Sequence, residues 1–193
     1  MAKHILILQA HPDPAAGHFG HALAQAYAEG ARAAGHEVQT LEIARLDFPW
    51  LKTRQEFENG APPEAIARAQ DAIRQAGHLL IVFPLWLGTV PALSKAFLEQ
   101  TLRPGYAFTP TPIGGMKKLL KGRTARIVVT MGMPAVFYRW YFGAHGVRWL
   151  QRSVLGFCGI RTTGVSLIGG VEGRARRRER WLAQLRELGR RAV

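Results

Sequence analysis

Ile5-Leu6-Ile7-Leu8, then the loop Gln9-Ala10-His11-Pro12-Asp13-Pro14, then Phe19, Leu23, Ala26 and Tyr27, form the unit on which the rest of the chain is patterned. Four consecutive apolar residues read as a short strand buried on both faces. The apolar positions after it recur at helical spacing, which predicts a helix over about residues 18–34, ended by Gly35. The same alternation recurs downstream. Glu37 to Ile43 reads as a strand and 44–61 as an irregular stretch. Pro62-Pro63-Glu64 opens a helix whose buried face is Ile66, Ala69, Ile73 and Ala76. Leu79 to Phe83 is the most apolar strand, and Pro91 opens a helix with Leu93, Ala96 and Phe97 inward. Residues 102–122 read as a glycine- and proline-rich loop. Ala125 to Thr130 and Thr163 to Ile168 are the last strands, with a helix centred on His145 to Leu155 between them. A final helix buries Trp181, Leu182, Leu185 and Leu188. Five β-α units predict a parallel sheet of order 2-1-3-4-5 with helices on both faces, in one domain over residues 1–193.

Composition narrows the partners. The chain has 193 residues, 48% of them hydrophobic and 20% charged, enough to bury a core without staples. The longest apolar run, Leu79 to Leu87, is broken by Pro84 and falls well short of the roughly 20 residues a membrane span needs. The apolar stretch near the N-terminus is too short for a secretory signal, so a cytoplasmic location is expected. One cysteine, Cys158, excludes an internal disulfide framework and a cysteine-rich metal site, and no metal is expected. A formal charge of +13 attracts phosphate-bearing partners without choosing among them. Part of it lies in Arg174-Ala175-Arg176-Arg177-Arg178-Glu179-Arg180, which together with the net charge is the best argument for nucleic acid as a partner. Successive arginines on a helix point all around its axis, and no nucleic-acid motif accompanies them. The segment therefore reads as a solvated helix face, and nucleic acid is set aside.

In an open parallel sheet, ligands bind beyond the carboxyl ends of the strands, which points to three loops. The first, Gln9 to Gly20, has neither the Gly-x-Gly-x-x-Gly fingerprint nor a Walker lysine. It delivers small residues and His18 to a helix N-terminus, as either a phosphate cradle or a plain capped loop does. The next, Pro84-Leu85-Trp86-Leu87-Gly88-Thr89-Val90-Pro91, is apolar where loops are usually polar. It suits a flat apolar ring, a fold-back onto the core or a dimer contact. The third, Thr130-Met131-Gly132-Met133 and onward, carries five aromatics within Phe137 to Phe142, a stacking surface or a subunit interface. Tyr138 and His145 are its conventional proton donors.

Taken together these loops resemble the flavodoxin-like NAD(P)H:quinone oxidoreductases, a family that includes ancillary flavoproteins of potassium efflux systems. The resemblance spans about residues 4–170. It rests on His11-Pro12-Asp13-Pro14, on Pro84-Leu85-Trp86-Leu87-Gly88 with Val90-Pro91-Ala92-Leu93 and Lys95, and on Gly105-Tyr106-Ala107-Phe108. It implies a flavodoxin-like three-layer α/β sandwich and FMN, or alternatively FAD, as cofactor. It further implies NAD(P)H as hydride donor, a quinone-like acceptor served in ping-pong fashion, and a homodimer. A regulatory redox flavoprotein acting on a partner such as a transporter is the alternative it carries.

By that resemblance His11, Gly17, His18, Phe19 and Gly20 surround the flavin phosphate and ribityl chain. Pro84, Leu85, Trp86, Leu87 and Gly88 line the isoalloxazine ring, and Thr130, Met131, Gly132 and Met133 cover its pyrimidine end. Tyr138 and His145 match the tyrosine and histidine that family members place over the ring, one residue further apart here. The family has serine or threonine at Gly17, asparagine at Gly20, and often Thr-Thr-Gly-Gly where this chain has Thr130-Met131-Gly132-Met133.

Overall fold

A computed structural model describes residues 2–173 and 175–193; Arg174, the first arginine of the basic segment, lies outside the described residues. Five strands form a parallel sheet: β1 (His4–Gln9), β2 (Glu37–Glu42), β3 (His78–Pro84), β6 (Thr124–Met131) and β7 (Arg161–Gly169), in the order β2-β1-β3-β6-β7. Renumbered as the major strands, that is the expected 2-1-3-4-5. The helices are α1 (Phe19–Ala33), α2 (Arg54–Asn59), α3 (Glu64–Gln75), α4 (Ala92–Thr101), α5 (Ala135–Trp140), α6 (His145–Trp149), α7 (Gly156–Cys158) and α8 (Ala175–Arg191).

Period-two alternation along the central strands divides the interior into two cores. Ile5 and Ile7 of β1, Leu80 and Val82 of β3 and Val128 of β6 face α1 and α8, where Leu23, Tyr27 and Leu185 meet them. Leu6, Leu8, Leu79, Ile81, Ile127 and Val129 point the other way, toward Ile66 and Ile73 of α3, Phe97 of α4 and the segment that holds Val147 and Leu150. The basic helix α8 spends its apolar face on α1. Their backbones cross so closely that a Cβ on Gly30 would stand 1.9 Å from the Arg186 carbonyl oxygen.

Three local readings need correction. Residues 102–122 are not all loop: β4 (Phe108–Pro110) and β5 (Met116–Lys118) pair as an antiparallel ribbon, too short and too polar for periodicity to reveal. The stretch 44–61 contains α2, capped by the Thr53 hydroxyl accepting from the Glu56 N–H. Buried Arg103 ties that stretch to α4, donating to the carbonyl oxygens of Glu56 and Gly60. The helix expected around 145–155 is preceded by α5 and passes through a π-helical stretch, Leu150–Leu155, before α7.

Candidate active site

Three chain segments meet at the carboxyl edge of the sheet, and each is placed by a strand that ends there. The loop after β1 leads into α1, whose N-cap His18 makes no side-chain cap bond. The N–H groups of Gly17, His18, Phe19 and Gly20 have no acceptor among the described residues. That is a row of free donors at the positive end of a 15-residue helix. Around it lie imidazoles and a carboxylate: His18 Nε2 stands 2.7 Å from Asp13 Oδ2, and the His11 and His18 rings stack at 3.8 Å. The Ala15 N–H and the His18 ring hold the Asp13 carboxyl below the usual carboxylate range.

After β3 the chain makes a tight reversal. Trp86 and Thr89 exchange backbone hydrogen bonds of 3.0 and 3.1 Å, and the two residues between them, Leu87 and Gly88, have φ of +47° and +83°. This is the geometry of a type I′ turn, which glycine accepts freely and leucine does not. Leu87 is fully exposed at its tip. A left-handed leucine with its side chain in water is backbone strain held by its surroundings, and such strain clusters at functional sites. The surroundings are identifiable. The Tyr138 hydroxyl donates to the Gly88 carbonyl oxygen at 3.0 Å, and α6 packs so near that a Cβ on Gly146 would stand 2.2 Å from the same oxygen. The Leu85 N–H donates to the Thr130 carbonyl at 2.8 Å, which locks this loop to the one after β6.

A cleft of about 210 Å³ runs between these segments, lined by His11, His18, Phe19, Gly20, Pro84, Leu85, Trp86, Thr130, Met131, Gly132 and Val171. Ten of the expected binding residues therefore share one cavity. Gly17, Leu87, Gly88 and Met133 stand outside its lining, with Leu87 and Gly88 on the turn beside it. Val171 was not expected; it follows β7, and the same strand-end rule, applied to the fifth strand, points to it. A larger cleft of about 460 Å³ lies between α5, α6 and β7, on the far part of the segment that follows β6, and none of the expected site residues lines it.

Tyr138 and His145 part company. Tyr138 is completely buried, and burial pushes its phenol up, with the N–H groups of Val147 and Gly146 acting against that. Its hydroxyl donates to the Gly88 carbonyl oxygen from beneath the turn, a contact that the expected place over the ring did not include. A sequence shows a tyrosine but not which way its hydroxyl turns. His145 is exposed. Its Nδ1 stands 2.7 Å from the Phe142 carbonyl oxygen, which can only accept, so Nδ1 carries the hydrogen. Nε2 is left facing the turn, 3.2 Å from where a Cβ on Gly88 would be. Beside it Phe137 and Tyr141 stack at 4.9 Å with Phe142 edge-on to both, and Phe137, Trp140 and Tyr141 are exposed.

The arrangement is a slot with two chemistries: free N–H donors and imidazoles at one end, an apolar strained turn and aromatic rings at the other. Among the described residues no group of three or more histidine, cysteine, aspartate or glutamate side chains could hold a metal ion, and no helix is long and apolar enough to cross a membrane.

A family model described as flavodoxin-like fold matches residues 3–191. A Haemophilus influenzae protein named as an uncharacterized NAD(P)H oxidoreductase is 29% identical over 171 residues, covering 86% of this chain and 83% of that protein. An FMN-dependent NADH:quinone oxidoreductase of Pseudomonas putida is 34% identical over 92 residues, covering 46% of this chain and 45% of that protein. Among solved structures, an NAD(P)H:quinone oxidoreductase from Methanothermobacter marburgensis superposes with a TM-score of 0.80 at 25% identity, covering 98% of each chain.

Proposed function

The chain belongs to the flavodoxin-like family, and on that premise we propose that it is an FMN-dependent NAD(P)H oxidoreductase that reduces quinone-like acceptors. The observation that carries this reading is the two-ended slot. A flavin mononucleotide is a phosphate joined to a flat, largely apolar ring, and the slot presents free N–H groups and imidazoles at one end and Pro84, Leu85 and Trp86 at the other. The donor set thus fits the cofactor. Bound FMN supplies the two-electron relay between nicotinamide and quinone.

The protein's own part is to hold, orient and exclude. The N–H groups of Gly132, which lines the cavity, and of Met133 beside it have no acceptor among the described residues, and they are our candidates for the donors that the ring's polar edge requires. Leu87, Trp86 and the exposed aromatics of 137–142 offer a flat ring an apolar platform, on which a nicotinamide and a quinone compete for one position. His145, with its Nδ1–H held by Phe142, turns Nε2 toward the slot, and when that nitrogen also carries a proton the ring donates it to an acceptor oxygen as the oxygen gains charge. Tyr138 keeps the turn in place beneath.

Phe137, Trp140 and Tyr141 are large aromatic side chains exposed on one short segment, with Trp86 exposed on the turn after β3, and we place a homodimer contact on that surface. Sedimentation at micromolar concentration checks it, with a monomer counting against it. We place the protein in the cytoplasm, consistent with one buried cysteine whose thiol is pushed up to about 11 by burial.

An absorbance spectrum before and after anaerobic NADPH, followed by turnover with a simple quinone, tests the function. A yellow protein that bleaches and is reoxidised by quinone is the expected result. A protein that stays colourless after FMN is added overturns the reading.

A further inference from the structure

The phosphate end of the slot is built from imidazoles. Where the family has hydroxyl and amide side chains, this chain has Gly17 and Gly20, with His18 between them and His21 one turn on. The rings of His11 and His18 stack at 3.8 Å, and His21 lies 5.6 and 5.8 Å from them. His11 Nδ1 stands 3.1 Å from the Asp13 backbone nitrogen and 3.0 Å from the Asp13 carbonyl oxygen. The N–H can donate to that ring nitrogen when it is neutral, and the carbonyl can accept from it when it is protonated. Both protonation states are therefore served without rearrangement. His21 Nδ1 is buried and has no partner.

We propose that His11 and His18, which line the slot, form a proton-coupled phosphate clamp, with His21 behind them against a neighbouring cavity, and that the clamp captures the flavin's phosphate monoester together with at least one proton. The inference rests on the flavin reading above. Burial and the positive charge His18 can carry hold His11 below its usual range, and burial does the same to His21. Three cationic rings a few ångströms apart repel, and a phosphate dianion removes that repulsion by supplying two negative charges among them. The other charged groups facing the cluster are few. Asp13 holds His18 from the loop, and Glu42 at the end of β2 favours the charged form of His21. Arg45, which pairs with Glu42, opposes it, and Arg178 of α8 stands 5.4 Å from the Phe19 ring. Hydroxyl and amide donors would hold the phosphate equally well at any pH near neutral; imidazoles cannot.

The test titrates flavin-free protein with FMN and with riboflavin between pH 6.5 and 8, where the FMN phosphate is mostly dianionic, and adds inorganic phosphate while the histidine ring protons are followed by NMR. FMN affinity should rise about tenfold per pH unit fallen for each proton taken up, and calorimetry in buffers of different ionisation enthalpy should count that proton. Riboflavin affinity should stay flat, and His18→Asn should flatten the FMN slope while FMN still binds. FMN that binds with a pH-independent affinity and no proton uptake overturns the clamp and leaves the oxidoreductase reading standing. Phosphate that shifts the histidine resonances in a protein that binds no flavin overturns the oxidoreductase reading, and with it the flavin as the clamp's ligand, and leaves a histidine site for another phosphate. Neither flavin binding nor a phosphate-induced shift overturns both.

Discussion

The Tyr138 hydroxyl donates 3.0 Å to the Gly88 carbonyl oxygen, joining the buried face of α5 to the tip of the one strained turn in the slot. That bond explains how Leu87 can sit at φ +47° with its side chain in water: the turn is gripped from beneath rather than chosen by its own residues. Tyr138→Phe removes the donor to a partly buried carbonyl and should cost about 0.5–1.5 kcal/mol of stability. Turnover should fall with the fraction of turn correctly held, and its pH profile should keep its shape. A profile whose alkaline limb moves would mean that the phenol itself exchanges a proton with substrate.

His145 has the complementary signature. It is exposed, its tautomer is set by Phe142, and nothing in the core depends on it. His145→Gln should lower turnover with quinone by about a hundredfold, the lower end of what a positioned proton donor contributes. Flavin content and thermal midpoint should stay near those of the parent. Unchanged turnover, measured by NAD(P)H consumption at saturating quinone, removes His145 from the chemistry.

The fold was legible because its signals are long and repeated. Apolar strand segments such as Ile5 to Leu8 alternate with helical spacings such as Phe19, Leu23 and Tyr27 along the whole chain, and that alternation leaves few topologies. The β4–β5 ribbon was not legible, since Met116–Lys118 is exposed throughout and has no buried face to betray it. At the site, the strand-end rule pointed to the three loops and the resemblance named the residues, ten of which line one cavity. The directions of side chains were beyond it. Whether Tyr138 faces the slot or the core depends on how α5 is rolled against Gly88, a tertiary choice with no local code. The resemblance supplied the pairing of Tyr138 with His145, and the geometry separated them again.

Stability should fall in mild acid, and His78 supplies part of the reason. It is completely buried at the opposite end of β3 from the slot, with Nδ1 2.7 Å from the Thr124 hydroxyl and Nε2 unpartnered. Burial, with Lys3 and Arg126 adding to it, drives its imidazole down to about 4. Between that value and the ordinary 6.5 the unfolded chain binds a proton that the folded chain refuses, so stability is intact above 6.5 and falls as pH drops toward 4. The slope from one such group approaches 1.4 kcal/mol per pH unit at most. Urea midpoints at pH 7, 6 and 5 should decline in the parent and decline less in His78→Gln. Parallel declines would place the acid sensitivity elsewhere.

Gly17 offers a gain rather than a loss. A Cβ built there meets nothing within 4 Å, and its φ is not left-handed, so a side chain enters without strain or collision. The residue sits among the uncommitted N–H groups that precede α1 and lead to the mouth of the cleft. Gly17→Ser should add a hydroxyl donor beside the phosphate end at no cost in fold. One extra hydrogen bond to a charged group is worth about 1.5–3 kcal/mol, so FMN should bind roughly tenfold tighter or better. Riboflavin, lacking the phosphate, should bind the variant and the parent alike, and fluorescence quenching by the apoprotein reads both. Equal tightening for the two flavins would place the new hydroxyl against the ribityl chain or ring, and an unchanged FMN affinity would remove residue 17 from the phosphate site.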